Sequence, residues 1–520
     1  MARKWIWNII ILGFVLFSLL PTLYELKRSG DLQPNRQFEL VHNFPTDYNF
    51  YLSRIRQGLE GRWTSVERYT SEPHDGSLIH ELYVLMGRVG ASVRVPWGKA
   101  GDVYHVARVV LAVTLLALIA KYTNYNILAF LLVVTASSWS KLVFVEGIPR
   151  FGGYMPWWSV MDSLQRITFI PHLLAGQALI VFLVMMLPSR KNTIFLGILA
   201  LLLGMVFPPG LLFVYTVMGV YALLQGKGMV KFITPYLLIF LISMPSLVYL
   251  GLMTHVYPWK RLIEVDVIRP LPFDYLEYIK AIGPIGPIGL IGLIVALWKR
   301  ERGMFLSVAW VISWIGLLVV FKFVPQQSPL RFSEMIPHVP LGVLSAYLLY
   351  KIGRPRRVVA IVLIAMGLLH MYSSWLWQRD FIDHKIRATS PLVPTGSFVM
   401  YPLKDFVAGM GYIQDNFTVD SVVLSGSTAG NYIPAYIGRT VYMGHDNTVS
   451  FEKKKEIAAQ FFAGRMSPDD AKLWMKQNAL RVVFYGPEEK SEAGVRDLRI
   501  PYPFLINRYS NAYVTVYSLE

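Results

Sequence analysis

Long apolar stretches alternate with short charged clusters along most of the chain. Apolar runs of roughly 17–22 residues, which as helices cross the hydrocarbon core of a bilayer, recur through the first three quarters of the sequence. They predict about eleven spans, near residues 5–24, 103–121, 126–144, 167–187, 193–207, 210–225, 232–252, 281–298, 304–321, 335–350 and 358–377. The pattern is typical of a polytopic α-helical membrane protein.

The charged residues between the apolar runs predict how the chain is oriented in the membrane. Cytoplasmic loops of membrane proteins are rich in Lys and Arg. Alternate loops are short and basic. Their Lys and Arg residues are Arg3, Lys4, Lys121, Arg190, Lys191, Lys227, Lys231, Lys299, Arg300, Arg302, Lys351, Arg354, Arg356 and Arg357. We therefore expect a multi-pass protein of the plasma membrane with a cytoplasmic N-terminus. An odd number of spans places the C-terminus outside.

The first apolar run, from Trp5 to Leu20, is too long for the apolar part of a signal peptide, and no small-residue cleavage site follows Pro21. We expect an uncleaved first span. A further apolar segment, Ser77 to Val95, contains Glu81 and two arginines, which favours a partly embedded or interfacial helix.

Two domains are predicted. Residues 1–378 form the transmembrane domain, including a long first outer loop at 25–102, and residues 379–520 form a soluble extracytoplasmic domain. In the second domain, short β-rich runs predict strands and amphipathic runs predict helices. The strands are Val422–Ser425, Val482–Tyr485 and Val514–Tyr517, and the helices are Phe451–Phe462 and Asp469–Gln477. This mixture predicts a small α/β domain.

Composition narrows the function classes. Hydrophobic residues make up 54% of the chain and charged residues 16%, with a mean hydropathy of +0.43. The net charge of +17 is explained by cytoplasmic loops, so we expect no nucleic-acid partner. There is no cysteine, which excludes disulfides, a thiolate metal site and a cysteine nucleophile.

An acidic residue opens a predicted helix in the first outer loop. Asp47 precedes an apolar face made by Tyr51, Ile55 and Leu59 at helical spacing. Its carboxylate is a candidate for chemistry at the membrane surface. The alternative is that Asp47 only caps the helix.

A second cluster lies in the same loop. Glu72, His74 and Asp75 could bind a sugar or a metal ion. The alternative is a polar turn, because Pro73 and the Asp75-Gly76 pair are turn formers. No residue spacing matches an established metal site.

Arginines near the outer ends of spans suggest an anionic ligand. Arg331 precedes the span at 335–350, and Arg166 precedes the span at 167–187, with Asp162 close by. Guanidinium groups suit phosphate, and charges at a membrane edge are functional candidates. The alternative for Arg331 is a side chain that reaches from apolar sequence to the interface.

These features together resemble the GT-C superfamily of membrane glycosyltransferases. Asp47–Tyr51 is similar to the acidic-aromatic start of the first loop in the oligosaccharyltransferase catalytic subunit. Leu330–Phe332, followed by two prolines, resembles the late-span arginine motif. The stretch Gly430–Arg439, with Gly444-His445, resembles the C-terminal region of bacterial members. The Trp-Trp-Asp motif of oligosaccharyltransferases is missing, since Ser159 follows Trp157-Trp158. A monosaccharide transferase fits better than sequon recognition.

The resemblance implies an inverting transfer from a polyprenyl-phosphate sugar to a hydroxyl of a glycan, lipid or protein. Asp47 would be the catalytic base, and Arg331, then Arg166, would bind the donor phosphate. The acceptor or sugar would be bound by Glu72, His74, Asp75, Asp162 and Tyr48. No cofactor is required, and a divalent metal is optional. Two other classes stay open: a transporter or flippase of polyprenyl-linked glycans, and a non-catalytic envelope assembly protein.

Overall fold

The computed structural model describes residues 2–42, 44–186, 192–324, 327–353, 356–389, 401–494 and 496–519. The chain divides into two compact units. The helical unit comprises Met1–Pro21, Val106–Gly251 and Asp266–Arg379, and the mixed unit comprises Thr22–His105, Leu252–Val265 and Asp380–Glu520. The first loop thus groups with the C-terminal residues, whereas the sequence assigned it to the transmembrane domain. The predicted boundary at residue 378 remains a prediction.

The helical unit is built of apolar helices. They are Ala2–Ser18, Ile127–Val134, Pro171–Met185, Thr193–Val206, Pro208–Leu224, Tyr275–Ile282, Ile285–Trp298, Phe305–Val320 and His338–Lys351. Further helices carry residues of both units: Leu20–Arg28, Ala100–Tyr122, Val230–Met253, Arg261–Ile268 and Arg356–Arg387. The predicted loop residues Arg190, Lys191 and Arg354 lie outside the described residues.

Among the described residues, 4 helical segments are long and apolar enough to cross a membrane, or up to 6 if each of two bent helix pairs is one span. The continuous segments are Trp97–Tyr122, Gly226–Met253, Arg302–Phe323 and Arg356–Arg387. Shorter apolar helices accompany them. A predominantly helical membrane protein is therefore confirmed, but the predicted number of eleven spans is not.

The predicted span at 126–144 is wrong as a continuous helix. The helix Ile127–Val134 ends after 8 residues. Strands β1 (Lys141–Val145) and β2 (Ile148–Gly152) then form an antiparallel hairpin. Its turn residues, Glu146 and Gly147, have φ of 50° and 78°, as a two-residue turn requires to match the strand twist. The apolar side chains that suggested a span lie partly on this hairpin.

The mixed unit contains a five-stranded sheet. Its strands are β3 (Val422–Leu424), β4 (Thr440–Val441), β5 (Leu480–Tyr485), β6 (Leu505–Ser510) and β7 (Thr515–Leu519), in the order β4-β3-β5-β7-β6. The β4, β3 and β5 pairings are parallel, and those of β5, β7 and β6 are antiparallel. Every side chain of β3 and most of those of β5 are buried, which explains their nearly continuous apolar sequence.

The mixed unit also contains helices. Two of them belong to the first loop, and the others lie in the C-terminal region with the sheet. They are Pro45–Leu59, Glu81–Ser92, Lys404–Asn416, Ser427–Tyr436, Phe451–Phe462, Pro468–Gln477 and Pro487–Ala493. The hydroxyl of Ser467 accepts the N–H of Asp470 at 3.2 Å and caps its helix. The predicted strands and helices of the C-terminal region are confirmed to within a few residues, and so is its α/β character.

The two helices of the first loop cross at a pair of glycines. A Cβ on Gly58 would lie 2.0 Å from the carbonyl oxygen of Val84, and one on Gly87 would lie 2.0 Å from that of Ile55. The backbones therefore touch, and no larger residue fits. The apolar segment that suggested an interfacial helix is the helix Glu81–Ser92, packed in this way on Pro45–Leu59.

A buried ion pair ties the start of the first loop to the end of helix Arg356–Arg387. The ammonium of Lys385 contacts the carboxylate of Glu25, which also accepts the hydroxyl of Tyr401 at 2.7 Å. Nearby, Arg28 pairs with Asp383 at 2.7 Å. Lys385 and Glu25 are both buried, so removing one of them leaves the other charge without compensation.

We predict that Lys385→Met destabilises the protein by about 3–5 kcal/mol, because it isolates the buried carboxylate of Glu25. Lys404→Met, at an exposed lysine of the same unit, is the matched control and should change stability little. The measurement is the unfolding of the purified protein by heat and denaturant. The double variant Glu25→Leu/Lys385→Met should recover part of the loss. Equal stability of Lys385→Met and Lys404→Met would contradict the importance of the pair.

Candidate active site

The helix Pro45–Leu59 presents Asp47 in its first turn. Pro45 occupies the first helical position, and Phe44 is the N-cap residue, with no side-chain cap. Asp47 is therefore not the cap itself, although the helix dipole favours a carboxylate in this turn. Its side chain is 49% exposed. The chain thus places an accessible carboxylate at a helix N-terminus.

Asp47 faces a histidine from the C-terminal region whose side chain is 9% exposed. The Nε2 of His445 lies 3.6 Å from an oxygen of Asp47. The ring of His445 stacks on Phe50, with centroids 4.6 Å apart and an interplanar angle of 22°. Its Nδ1 accepts the N–H of Asn447 at 3.1 Å. In the neutral ring, this leaves the proton on Nε2, directed toward the carboxylate.

Asn431 fixes the start of the same helix. Its side-chain oxygen accepts the amide of Asn49 at 2.8 Å, and its own amide donates to the carbonyl of Thr46 at 3.2 Å. The hydroxyl of Tyr69 donates to the backbone carbonyl of Asn431 at 3.1 Å. Asn49 and Asn431 are both buried. The residues on each side of Asp47 are therefore held by one side chain.

Two glycines set the position of His445. A Cβ on Gly430 would lie 2.1 Å from the carbonyl oxygen of Met443, and one on Gly444 would lie 2.2 Å from the carbonyl carbon of Gly430. The backbones of these segments are in direct contact. The two halves of the motif found in the sequence, Gly430–Arg439 and Gly444-His445, thus form one contact that brings His445 next to Asp47.

In the second cluster, which consists of Glu72, His74 and Asp75, Glu72 contacts the C-terminal region. The carboxylate of Glu72 accepts the ammonium of Lys454, at 2.8 and 2.7 Å from its two oxygens, and the hydroxyl of Thr70. Burial lowers the pKa of Lys454, and Glu72 partly offsets this effect. Glu72 therefore holds the loop in place, whatever else it binds.

His74 is occupied by the backbone. Its Nε2 accepts the N–H of Glu67 at 2.8 Å, and its Nδ1 lies 2.7 Å from the carbonyl oxygen of Glu72. Both ring nitrogens are used, which defines the tautomer and supports the turn. Asp75 is exposed. Across the described part of the chain, no group of three or more His, Asp or Glu could hold a metal ion. That no cofactor is required and that a divalent metal is optional remain predictions.

A short segment from residue 252 to 265 also borders the His445 loop. Arg261 donates to both oxygens of Glu452, at 2.8 and 2.9 Å, and to the carbonyl of Asp446 at 2.8 Å. Trp259 is buried with its ring near the edge of His74. Arg261 and Trp259 could not be predicted from the sequence, because their partners lie far away along the chain.

Tyr48, a predicted sugar ligand, is buried beside residues of the first loop's end. Its hydroxyl lies 3.3 Å from Nε2 of His105, and its ring packs edge-on against Tyr104. These contacts account for its burial. Its assignment to sugar binding remains a prediction.

Arg331 belongs to the helical unit. It lies in the 3₁₀ turn Pro329–Glu334, where Ser328 accepts the N–H of Leu330 at 3.2 Å. Phe332 packs on Phe321, with centroids 4.5 Å apart. The guanidinium is 34% exposed and lies 3.8 Å from Asp266. The turn is fixed by its neighbours, while the guanidinium stays accessible.

Arg166 and Asp162, also in the helical unit, stabilise local structure. Arg166 donates to the carbonyls of Val134, at 3.1 Å, and Ala136, at 2.5 Å, just where the helix Ile127–Val134 ends. Helix ends leave such carbonyls without partners, so this contact explains where the helix stops. Asp162 accepts the N–H groups of Leu164 and Gln165, at 2.8 and 2.9 Å. Their assignments to phosphate and sugar remain predictions.

Three further residues have roles that were not predicted from the sequence. His445 and Asn431 belong to the sequence motif Gly430–Arg439 with Gly444-His445, which resembles the C-terminal region of bacterial GT-C members. That motif was the only indication of a role, and neither residue was assigned to the site. Lys454 gave no signal, because its partner Glu72 lies 382 positions away.

No family model and no curated protein sequence matches this chain. Solved structures do. The oligosaccharyltransferase of Archaeoglobus fulgidus, in its apo form, is 10% identical over 99% of this chain and 75% of its own, with a TM-score of 0.52. ArnT from Cupriavidus metallidurans in the apo state is 12% identical over 99% of this chain and 98% of its own, with a TM-score of 0.52.

ArnT bound to undecaprenyl phosphate is 11% identical over 100% of this chain and 98% of its own, with a TM-score of 0.51. Both neighbours are GT-C glycosyltransferases. At this identity the likeness shows the fold, so the predicted GT-C resemblance is confirmed as a similarity of fold.

We predict that Gly444→Ala destabilises the mixed unit by about 1–3 kcal/mol, because a Cβ there collides with the backbone of Gly430. Gly411→Ala is the matched control, since a Cβ on Gly411 meets nothing within 4 Å and the residue lies inside a helix. Thermal unfolding of the two purified variants checks this. Equal midpoints would contradict the direct backbone contact.

Proposed function

We propose that the protein is an inverting glycosyltransferase that transfers a sugar from a polyprenyl-phosphate donor to a hydroxyl acceptor on the outer face of the membrane. The observation that carries the proposal is the half-exposed carboxylate of Asp47, which lies in the first turn of a helix, 3.6 Å from Nε2 of His445. The fold shared with two glycosyltransferases supports it and favours the enzyme over the transporter and the assembly protein.

Asp47 acts as the general base. Its carboxylate accepts the proton of the acceptor hydroxyl, and the oxygen attacks the anomeric carbon of the donor. The bond between that carbon and the phosphate oxygen breaks, and polyprenyl phosphate leaves with the electron pair. Because attack and departure occur on opposite sides of the carbon, the configuration inverts.

His445 positions the base. Its Nε2 lies 3.6 Å from one oxygen of the carboxylate, and the stacking on Phe50 keeps the ring in this orientation. A polar group placed beside the carboxylate in advance needs little reorganisation when the proton is transferred. The exposure of Asp47 leaves the carboxylate open to an acceptor hydroxyl.

The donor phosphate is assigned to Arg331 first. Its guanidinium is 34% exposed and therefore accessible to a ligand. Arg166 is second, and its guanidinium donates to backbone carbonyls at the end of the helix Ile127–Val134. The undecaprenyl phosphate bound to ArnT supports this class of donor. The assignment of Arg331 rests on its own geometry and on the resemblance.

The acceptor or sugar is assigned to the exposed face around Glu72 and Asp75, with His74, Tyr48 and Asp162 as further candidates. Glu72 is partly exposed although Lys454 binds it. The mixed unit lies outside the cell in this proposal, and the N-terminus is cytoplasmic. The nature of the sugar decides which of these residues contact it.

The test is sugar transfer by the purified protein in nanodiscs, with a panel of radiolabelled polyprenyl-phosphate sugars and a membrane glycan extract. We expect one donor to release polyprenyl phosphate. Asp47→Asn should lower the rate by about 10²–10⁴-fold, because the base is lost.

The matched control is Asp469→Asn, which removes another acid from the first turn of a helix that begins with proline. It should retain the full rate. Transfer by Asp47→Asn at the rate of Asp469→Asn would exclude Asp47 as the base. Absence of transfer with every donor by a folded wild-type protein would overturn the proposed function.

A further inference from the structure

The hairpin of β1 and β2 exposes large apolar side chains. Leu142 is 58% exposed, Phe144 is 65% exposed and Ile148 is 44% exposed. Leu142 and Phe144 lie on one face of the two-stranded ribbon, and Ile148, which pairs with Val145, lies on the other face next to the turn. An apolar surface of this kind commonly marks a site of interaction.

The second strand of the hairpin packs on a candidate membrane span. The N–H of Phe151 donates to the hydroxyl of Ser373 at 2.9 Å, and its ring stacks on His370 at 5.4 Å. The guanidinium of Arg150 lies over the ring of Trp377, 5.1 Å from its centroid. The hairpin therefore lies along the later part of helix Arg356–Arg387, which is long and apolar enough to cross a membrane.

The same helix also exposes apolar side chains of its own. Leu368, Leu369 and Tyr372 are exposed, on the same turns as the residues that hold the hairpin but on other faces of the helix. Because the helix is a candidate span, lipid is what covers its exposed apolar side. The hairpin, held against the same helix through Phe151 and Arg150, lies beside this lipid-facing surface.

The chemistry around the hairpin is that of a membrane–water interface. Trp139 and Trp157 are exposed, and Trp residues are enriched at the headgroup level. The ammonium of Lys141 lies 3.7 Å from the ring centroid of Tyr154, and that of Lys280 lies 5.1 Å from it. Such cations can meet lipid phosphates while their stems remain in apolar surroundings.

The backbone hydrogen-bonding groups of the hairpin limit how deep it can lie in the membrane. A two-stranded ribbon leaves the outer N–H and C=O groups of both strands without partners in the sheet, and these groups need water or headgroups. The hydrocarbon core cannot supply them. The apolar side chains therefore reach toward the acyl chains while the ribbon stays among the headgroups.

We propose that the hairpin Lys141–Gly152 is a membrane-interface element, with Leu142, Phe144 and Ile148 inserted at the boundary between lipid headgroups and acyl chains. Lys141 and Lys280 then lie at the level of the lipid phosphates. The single acid of the hairpin, Glu146, lies in its turn and is exposed.

The absence of cysteine permits a direct test. Phe144→Cys is labelled with an environment-sensitive fluorophore in nanodiscs of phosphatidylethanolamine and phosphatidylglycerol. Quenching is compared for a lipid with a shallow spin label, a lipid with a deep spin label and aqueous iodide. Leu142→Cys repeats the measurement at a second site of the hairpin, in case one label disturbs it.

Two matched positions calibrate the depth. Leu368→Cys lies on an exposed face at the middle of the candidate span, and Ile500→Cys lies on an exposed loop of the mixed unit. The label at Phe144→Cys should be quenched most by the shallow lipid, the label at Leu368→Cys most by the deep lipid, and the label at Ile500→Cys most by iodide.

Three results would overturn the proposal. Quenching of Phe144→Cys by iodide to the extent seen at Ile500→Cys would place the hairpin in water. Strongest quenching by the deep lipid would place it in the hydrocarbon core. Protection from all three quenchers would show that protein, such as a second copy of the chain, covers it.

Discussion

The hydrogen-bonded pair of Asn49 and Asn431 is the contact on which the candidate site depends. Both side chains are buried, and a buried amide without a partner costs about 1–3 kcal/mol. The helix Pro45–Leu59 can therefore begin only where Asn431 meets Asn49 and the carbonyl of Thr46. Asp47 lies between these two residues, so its position follows from theirs. The same helix turn places Phe50 under the ring of His445.

Residues 68–72 of the first loop extend this contact along the C-terminal region. The N–H of Val441 donates to the carbonyl of Arg68 at 2.9 Å, and the hydroxyl of Thr448 donates to that of Tyr69 at 2.6 Å. Lys454 then binds Glu72. Hydrogen bonds and an ion pair thus connect the first loop directly to the sheet-containing region. The candidate base belongs to one of them and its histidine to the other.

Local patterns in the sequence predicted local structure well. Phe451–Phe462 was predicted with the bounds that the structure has, because its apolar spacing repeats over three turns. The helix after Ser467 was predicted from its cap. Asp47 was singled out because an acid at a helix start is visible in sequence. Each of these features depends on residues within about one helix length of one another.

Features that depend on distant partners could not be predicted in this way. His445 approaches Asp47 through the contact of Gly430 with Gly444, and the sequence showed these residues only as a motif. The span predicted at 126–144 failed because hydropathy counts apolar residues without regard to the backbone. Arg166 ends the helix at Val134, and the apolar residues beyond it belong to the hairpin. Hydropathy alone does not separate lipid-facing ribbon from helix.

The central claim is that His445 contributes to sugar transfer through Asp47. It is tested most directly by a double-mutant cycle of transfer rates for Asp47→Asn, His445→Ala and the double variant, each checked for folding. The account predicts that His445→Ala slows the wild-type protein but leaves the residual rate of Asp47→Asn unchanged. Losses that multiply in the double variant would contradict it, because His445 would then act independently of the carboxylate.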